Sequence, residues 1–157
     1  MSAQIKVDKD YTLVKQIMQA AYIFEKVRER ELLPLNLSVT EADILFRVKA
    51  LGKNVTGAKI YRKLMIQQHA LYVTLKSMEK RGLLKRTLNP ECKNQILITL
   101  TNKGENTLRQ VMTLEGTTHV LSRLSSGQKS RLQAMLTEIK EAGKEEIYLR
   151  ANVILWP

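Results

Sequence analysis

The chain is short of cysteine, of histidine and of long apolar runs, and each shortage closes off a class of function. Cys92 is the only cysteine among 157 residues. No disulfide can form within the chain, and a reducing cytoplasm suits it better than secretion. The only histidines are His69 and His119, too few for the clustered His, Cys and Glu ligands of a zinc site, so no metal and no cofactor is expected. No stretch approaches the ~18 consecutive apolar residues of a membrane span. The start, Met1-Ser2-Ala3-Gln4-Ile5-Lys6, has neither the apolar run nor the cleavage site of a signal peptide. These absences lead to the expectation of a cytoplasmic protein without a membrane partner. There is no GxGxxG, no Walker loop, no HExxH and no nucleophile elbow, so catalysis is not expected.

What the chain has is positive charge in one place. The net charge is +11. Positions 47–103 hold thirteen Lys and Arg against two acids, Glu79 and Glu91; the remainder holds thirteen of each sign. The whole surplus therefore lies in the middle third. A basic module between neutral flanks is the electrostatic footprint of a binder of phosphate backbones. A membrane-surface helix would instead need an apolar face not used by the core.

Hydrophobic periodicity divides the chain into elements. Leu13, Ile17, Ala20, Phe24 and Val27 form one stripe of a helix over 10–30, widened by Val14, Met18 and Ala21. That is more apolar surface than one small domain needs, and it points to a second chain. Pro34 ends the helix. Ser38-Val39-Thr40-Glu41 reads as a capping box, opening a helix with Ala42, Leu45, Val48 and Leu51 inward and Gly52 at its end. Thr56 caps a short helix containing Ile60 and Leu64. A helix over 67–81 follows, with Leu71, Leu75 and Met78 inward and Gly82 as its stop. Two β-prone runs, Leu83 to Leu88 and Gln95 to Leu100, flank a polar Asn89-Pro90 turn and predict a hairpin with a protruding tip. From Thr101 a helix runs to about Arg123. A second capping box, from Ser125 to Gln128, opens a last helix with Leu132, Met135, Leu136 and Ile139 as its stripe. The apolar tail 147–156 is expected against the first helix or a partner subunit.

Helix, helix, turn, helix and hairpin, in that order over 38–100, make a winged helix-turn-helix. The expected fold is mainly α, with a small β-hairpin wing and a helical dimerisation region. The helix over 67–81 is its recognition helix. Gln67, Gln68, His69, Tyr72 and Val73 fall on its outer or N-terminal side and are the candidate base readers; glutamine can bond adenine bidentately and valine can touch a thymine methyl. Lys76, Lys80, Arg81, Lys85 and Arg86 are placed for phosphates, which position a protein without specifying sequence. Cys92, on a basic tip, is read as an inert surface thiol rather than a redox sensor, since no second cysteine can resolve it.

The segment Leu37-Ser38-Val39-Thr40-Glu41-Ala42-Asp43-Ile44-Leu45 resembles the start of helix two in the MarR family of bacterial regulators. Met78-Glu79-Lys80-Arg81-Gly82-Leu83-Leu84-Lys85-Arg86 is similar to that family's L-E-x-x-G-L-I/V-x-R stretch. Ile96-Leu97-Ile98-Thr99-Leu100-Thr101-Asn102-Lys103-Gly104 is similar to its hydrophobic strand followed by L-T-x-x-G. The resemblance covers nearly the whole chain. It implies a homodimer built from the first and last two helices, with dimerisation segments 1–36 and 104–157 around a DNA-binding domain 37–103. It further implies a pseudo-palindromic double-stranded operator with half-sites about one helical turn, ~10 bp, apart. The activity implied is repression of transcription, relieved by a small aromatic or phenolic effector, with Met18, Tyr22, Phe46 and Tyr61 as the pocket candidates. Where the family's wing carries Asp-x-Arg, this chain has Cys92-Lys93-Asn94, leaving Lys93 to meet a phosphate. The alternative reading is a winged-helix interaction or architectural protein, with Tyr72 and Val73 contacting protein instead of DNA.

Overall fold

Capping chemistry decides where most of the elements begin. Among the described residues, 8–64 and 66–151 (side chains as far as Ile147), this computed structural model has seven α-helices and one β-hairpin. The first helix, α1 (Lys9–Leu32), starts at Asp8, whose carboxylate accepts from the Asp10 N–H at 3.0 Å. It ends in a 3-10 turn, Leu33–Leu35, that contains Pro34 and closes on Asn36 in the left-handed region, φ 50°. The expected capping box is present. The Ser38 hydroxyl accepts from the Glu41 N–H at 3.1 Å, and the Glu41 carboxylate accepts from the Ser38 N–H at 3.0 Å. It opens α2 (Val39–Leu51). Then follow α3 (Gly57–Leu64) and α4 (Gln68–Lys80), whose stripe Leu71, Leu75 and Met78 is buried as expected. Gly82, at φ +71°, lets the chain turn out of α4 into the hairpin.

The hairpin pairs β1 (Leu84–Leu88) with β2 (Ile96–Leu100) antiparallel, Leu84 opposite Leu100 and Leu88 opposite Ile96. A third rung was not legible in the sequence. The Ile98 N–H donates to the Val55 carbonyl at 2.8 Å, and Thr56 bridges Leu97. The link between α2 and α3 thus covers part of the free edge of β2, whose backbone groups would otherwise lack partners.

One core gathers Leu32 from α1, Ile44, Leu45 and Val48 from α2, Ile60 from α3, the α4 stripe, and Leu84 and Ile98 from the hairpin. Leu108 and Val111 of α5 (Asn102–Met112) join it. Each such side chain contributes about 1.5–3 kcal/mol on burial. The N-terminus of α5 abuts the turn after α4. Thr101 caps α5 by accepting from the Gly104 N–H at 3.0 Å, while its hydroxyl donates to the Gly82 carbonyl at 2.6 Å. Gly104 lies directly against the Leu83 backbone, where an added Cβ would sit 2.9 Å from the Leu83 carbonyl carbon. The L-T-x-x-G pattern is therefore a joint: the threonine supplies two hydrogen bonds and the glycine leaves room for a carbonyl.

The single helix expected from Thr101 to about Arg123 is instead two, α5 and α6 (Gly116–Ser122). Tertiary contacts from α1 meet the chain at the break. Arg28 of α1 donates to the Val111 carbonyl at 3.4 Å, and the Glu31 carboxylate accepts from the Gly116 N–H. Both backbone groups would be paired internally in a continuous helix. Thr113 and Gly116 between them are also poor helix formers.

By packing the chain divides into 1–117 and 118–157. The second unit holds the rest of α6 and α7 (Ser126–Ala151). Its expected capping box is present: the Ser125 N–H donates to the Gln128 side-chain oxygen at 2.8 Å, and the Gln128 N–H donates to the Ser125 hydroxyl at 3.3 Å. On α7, Met135, Leu136 and Ile139 are exposed; on α1, so are Tyr11, Val14, Met18 and Tyr22. The expected packing of the tail falls largely on residues 152–157, outside those described.

Because the obstacle at Gly104 is backbone and cannot rotate away, Gly104→Ala is expected to lower stability by roughly 3 kcal/mol. Urea unfolding followed by circular dichroism measures it; a loss under about 0.5 kcal/mol, the range of ordinary surface substitutions, would show that this joint can relax.

Candidate nucleic-acid interface

α4 presents a graded face. Its buried stripe turns Gln67, Gln68, His69, Tyr72 and Val73 to the exposed side, near the N-terminus, and Lys76 and Lys80 toward the C-terminus. Gln67 occupies the N-cap position with an extended backbone, and its side chain makes no cap bond. The amides, the imidazole, the phenol and the isopropyl group are thus displayed on the first two turns, with ammonium groups behind them. This is the order in which a recognition helix meets base edges and then backbone.

The cations expected at phosphates separate into two groups. Lys76, Lys80, Lys85 and Lys93 are exposed and make no ion pair among the described residues. Arg81 and Arg86 are instead each paired with a carboxylate of the fold. Arg81 pairs with Glu41 at 2.7 Å and donates to the Asn36 carbonyl, tying the end of α4 to the start of α2. Arg86 pairs with Glu79 at 2.7 Å through both Nε and Nη2, and its own backbone N–H donates to the same carboxylate at 2.9 Å. Glu41 and Glu79 could not be identified as these partners from sequence, since they lie 40 and 7 residues away.

Several exposed cations were missed as site residues. Lys59, Arg62 and Lys63 lie on the outer side of α3, and Lys53 stands just before it. The signal existed: with Ile60 buried and Leu64 half-buried, the helical period turns these three outward. The wing tip is braced by its own bonds. The Asn89 N–H donates to the Gln95 carbonyl at 2.8 Å, and the Gln95 N–H to the Cys92 carbonyl at 2.9 Å. Cys92 is a free, exposed thiol at this tip, beside exposed Lys93 and Asn94. At the neck of the wing, Leu88 and Ile96 face each other and are exposed.

The four effector-pocket candidates are not gathered in one place. Met18 and Tyr22 line an open groove on α1 with Lys15, Gln19 and Ile23. Phe46 is exposed, with the Arg47 guanidinium 5.6 Å from its ring centre. Tyr61 packs at the edge of the core.

No family model and no curated protein matches the sequence. Solved structures do match. An organohalide-sensing RdhR transcriptional regulator in its 2,4-dichlorophenol-bound form superposes with a TM-score of 0.77 at 23% identity, covering 90% of this chain and 86% of that one. CouR, a transcriptional repressor bound to a 23-mer DNA duplex, gives 0.77 at 21%, covering 88% and 99%. A MarR variant from E. coli complexed with operator DNA gives 0.73 at 20%, covering 82% and 93%. The fold is the MarR winged helix. In this MarR-type frame α3 and α4 form the helix-turn-helix and β1–β2 the wing. No described helix is long and apolar enough to cross a membrane.

The Arg86 partnership, first through its side-chain hydrogen bond and then through its backbone N–H, holds the Glu79 carboxyl below its ordinary value of 4.5. A carboxyl whose pKa is depressed by folding contributes stability above its unfolded pKa and loses it as pH falls through the folded value. Acid titration of stability below about pH 4.5 should therefore be shallower in Glu79→Gln than in the parent. Equal slopes would mean that this pair does not persist in solution.

Proposed function

We propose that this protein is a dimeric, sequence-specific DNA-binding regulator of transcription of the MarR family, a cytoplasmic repressor released by a small aromatic or phenolic effector. The observation that carries this reading is the coincidence of three features in one module. The helix-turn-helix and hairpin of a MarR-type winged helix, the chain's entire charge surplus, and an exposed α4 face of amides and apolar groups all fall within 47–103. Neither catalysis nor a cofactor has a part in it.

In this reading the first turns of α4 enter the major groove. Gln67 and Gln68 bond adenine edges, His69 donates or accepts beside them, and Tyr72 and Val73 lie against thymine methyls. Lys76, Lys80, Lys85 and Lys93 neutralise phosphates, helped by Lys59, Arg62 and Lys63 on α3. Residues 37–103 act as the DNA-binding domain, while 1–36 and 104–157 dimerise through the exposed apolar faces of α1 and α7. The pairing sets two copies of α4 about one DNA turn, ~10 bp, apart on a pseudo-palindromic operator. An effector works only if it binds better to a conformer that misaligns the two copies of α4. The bound dichlorophenol of the RdhR structure supports an aromatic ligand class, with Met18 and Tyr22 in the open groove on α1 as its nearest candidates here. A winged-helix interaction protein is the second reading, favoured by the exposure of Tyr72, Val73, Leu88 and Ile96.

A salt titration separates the two. The logarithm of DNA affinity should fall linearly with the logarithm of salt, by about 0.9 per phosphate neutralised. Lys76→Glu should weaken binding to every sequence by roughly tenfold at low salt, whereas Gln68→Ala should change which sequence is preferred. Absence of any preferred site up to micromolar protein would sink the regulator reading. Sedimentation should find a dimer, and Met18→Glu with Leu136→Glu should give monomers at micromolar concentration; a parent chain that sediments as a monomer would count against the dimer.

A further inference from the structure

We infer that Arg86 is a positioning residue for sequence recognition: held by Glu79, it sets the Tyr72 ring on the face of α4 and takes no phosphate itself. This rests on the regulator reading above and goes beyond it by assigning a role to the groove between α4 and the wing.

The geometry begins with spacing. Tyr72 and Glu79 are seven residues apart on α4, two helical turns, and so lie on the same side. Arg86 comes from β1 and meets both. Its guanidinium stands 5.6 Å from the Tyr72 ring centre, within cation–π range. Its Nε and Nη2 hold one Glu79 oxygen, each at 2.7 Å, while its backbone N–H holds the other at 2.9 Å. The Nε hydrogen bond and the Nη2 contact on one carboxylate oxygen orient the guanidinium, which lysine could not do with a point charge, while the backbone N–H holds the other oxygen. Tyr72, Glu79, Arg86, Thr87, Leu88 and Ile96 line a single groove.

Exposure completes the argument. The Arg86 side chain is 19% exposed and Tyr72 is 54% exposed. The cation is underneath and the ring is on the surface, among the other candidate base readers. A phosphate taking the Nε and Nη2 edge of Arg86 would have to displace Glu79, leaving a carboxylate facing DNA. Tyr72 needs no such rearrangement to meet a base. Burial against Glu79 has a second consequence, since the pair cancels charge where the module is otherwise cationic.

The test uses the full-length protein and selection of preferred duplexes from a random-sequence DNA library, with salt titration on the selected duplex. Arg86→Lys keeps the charge and loses the planar fork. Discrimination at one base step in each half-site should fall about tenfold, at the same step that Tyr72→Ala alters, and the salt slope should match the parent's. Glu79→Gln removes the holding carboxylate and raises the net charge by one per protomer; it should alter the same step. An unchanged preference with a salt slope smaller by about 0.9 per protomer would make Arg86 a phosphate contact and overturn the proposal. So would an unchanged preference in Glu79→Gln. If the parent selects no sequence, the regulator reading fails instead. The Tyr72 ring resonances of the DNA-free protein then decide the positioning on their own: a shift in Arg86→Lys supports it, and unchanged resonances overturn it.

Discussion

The hold of Glu79 on Arg86 organises the side of this molecule where α4 meets the hairpin. Within 47–103 there are two acids among thirteen cations, and one of them sits where α4 meets β1. A winged helix works only if the wing and the recognition helix keep a constant relation, and two short elements meeting through apolar contacts alone could slide. The ion pair, with the backbone N–H on the other carboxylate oxygen, gives that junction a direction as well as an attraction. The Arg81–Glu41 pair does the same between α4 and α2. In a module so rich in cations, each carboxylate at a joint removes one cation from those left exposed. At these two joints the inward cation is arginine, whose planar fork suits fixed partners, while Lys76, Lys80 and Lys85 stay exposed.

The rest of the module follows from a similar economy of space. Gly104 lets α5 come against the Leu83 carbonyl, and Thr101 binds the preceding turn while capping its own helix. These contacts anchor the base of the wing as the ion pairs anchor its side. Away from the module the surface changes character. α1 and α7 expose apolar side chains at helical spacing, which water disfavours and a second copy would cover.

Much of this was legible beforehand. The capping boxes at Ser38 and Ser125, the α4 stripe and the hairpin strands depend on residues a few positions apart, and local chemistry is enough to read them. The exposed face of α4 followed from its buried one. The α5–α6 break did not, because the contacts made there come from Arg28 and Glu31, more than eighty residues away. The rung between Val55 and Ile98 was hidden for the same reason.

Sequence alone thus determined where helices start, which of their faces turn inward, and that the positive charge is confined to one module. These properties depend on period, capping and count, all of which are local or additive. Only the tertiary structure decided which cations remain free. Arg86 and Lys85 are neighbours of the same sign in one strand, yet one is bound beneath Tyr72 and the other faces solvent. A side chain's partner is set by which distant segment folds against it, and no count along the chain contains that.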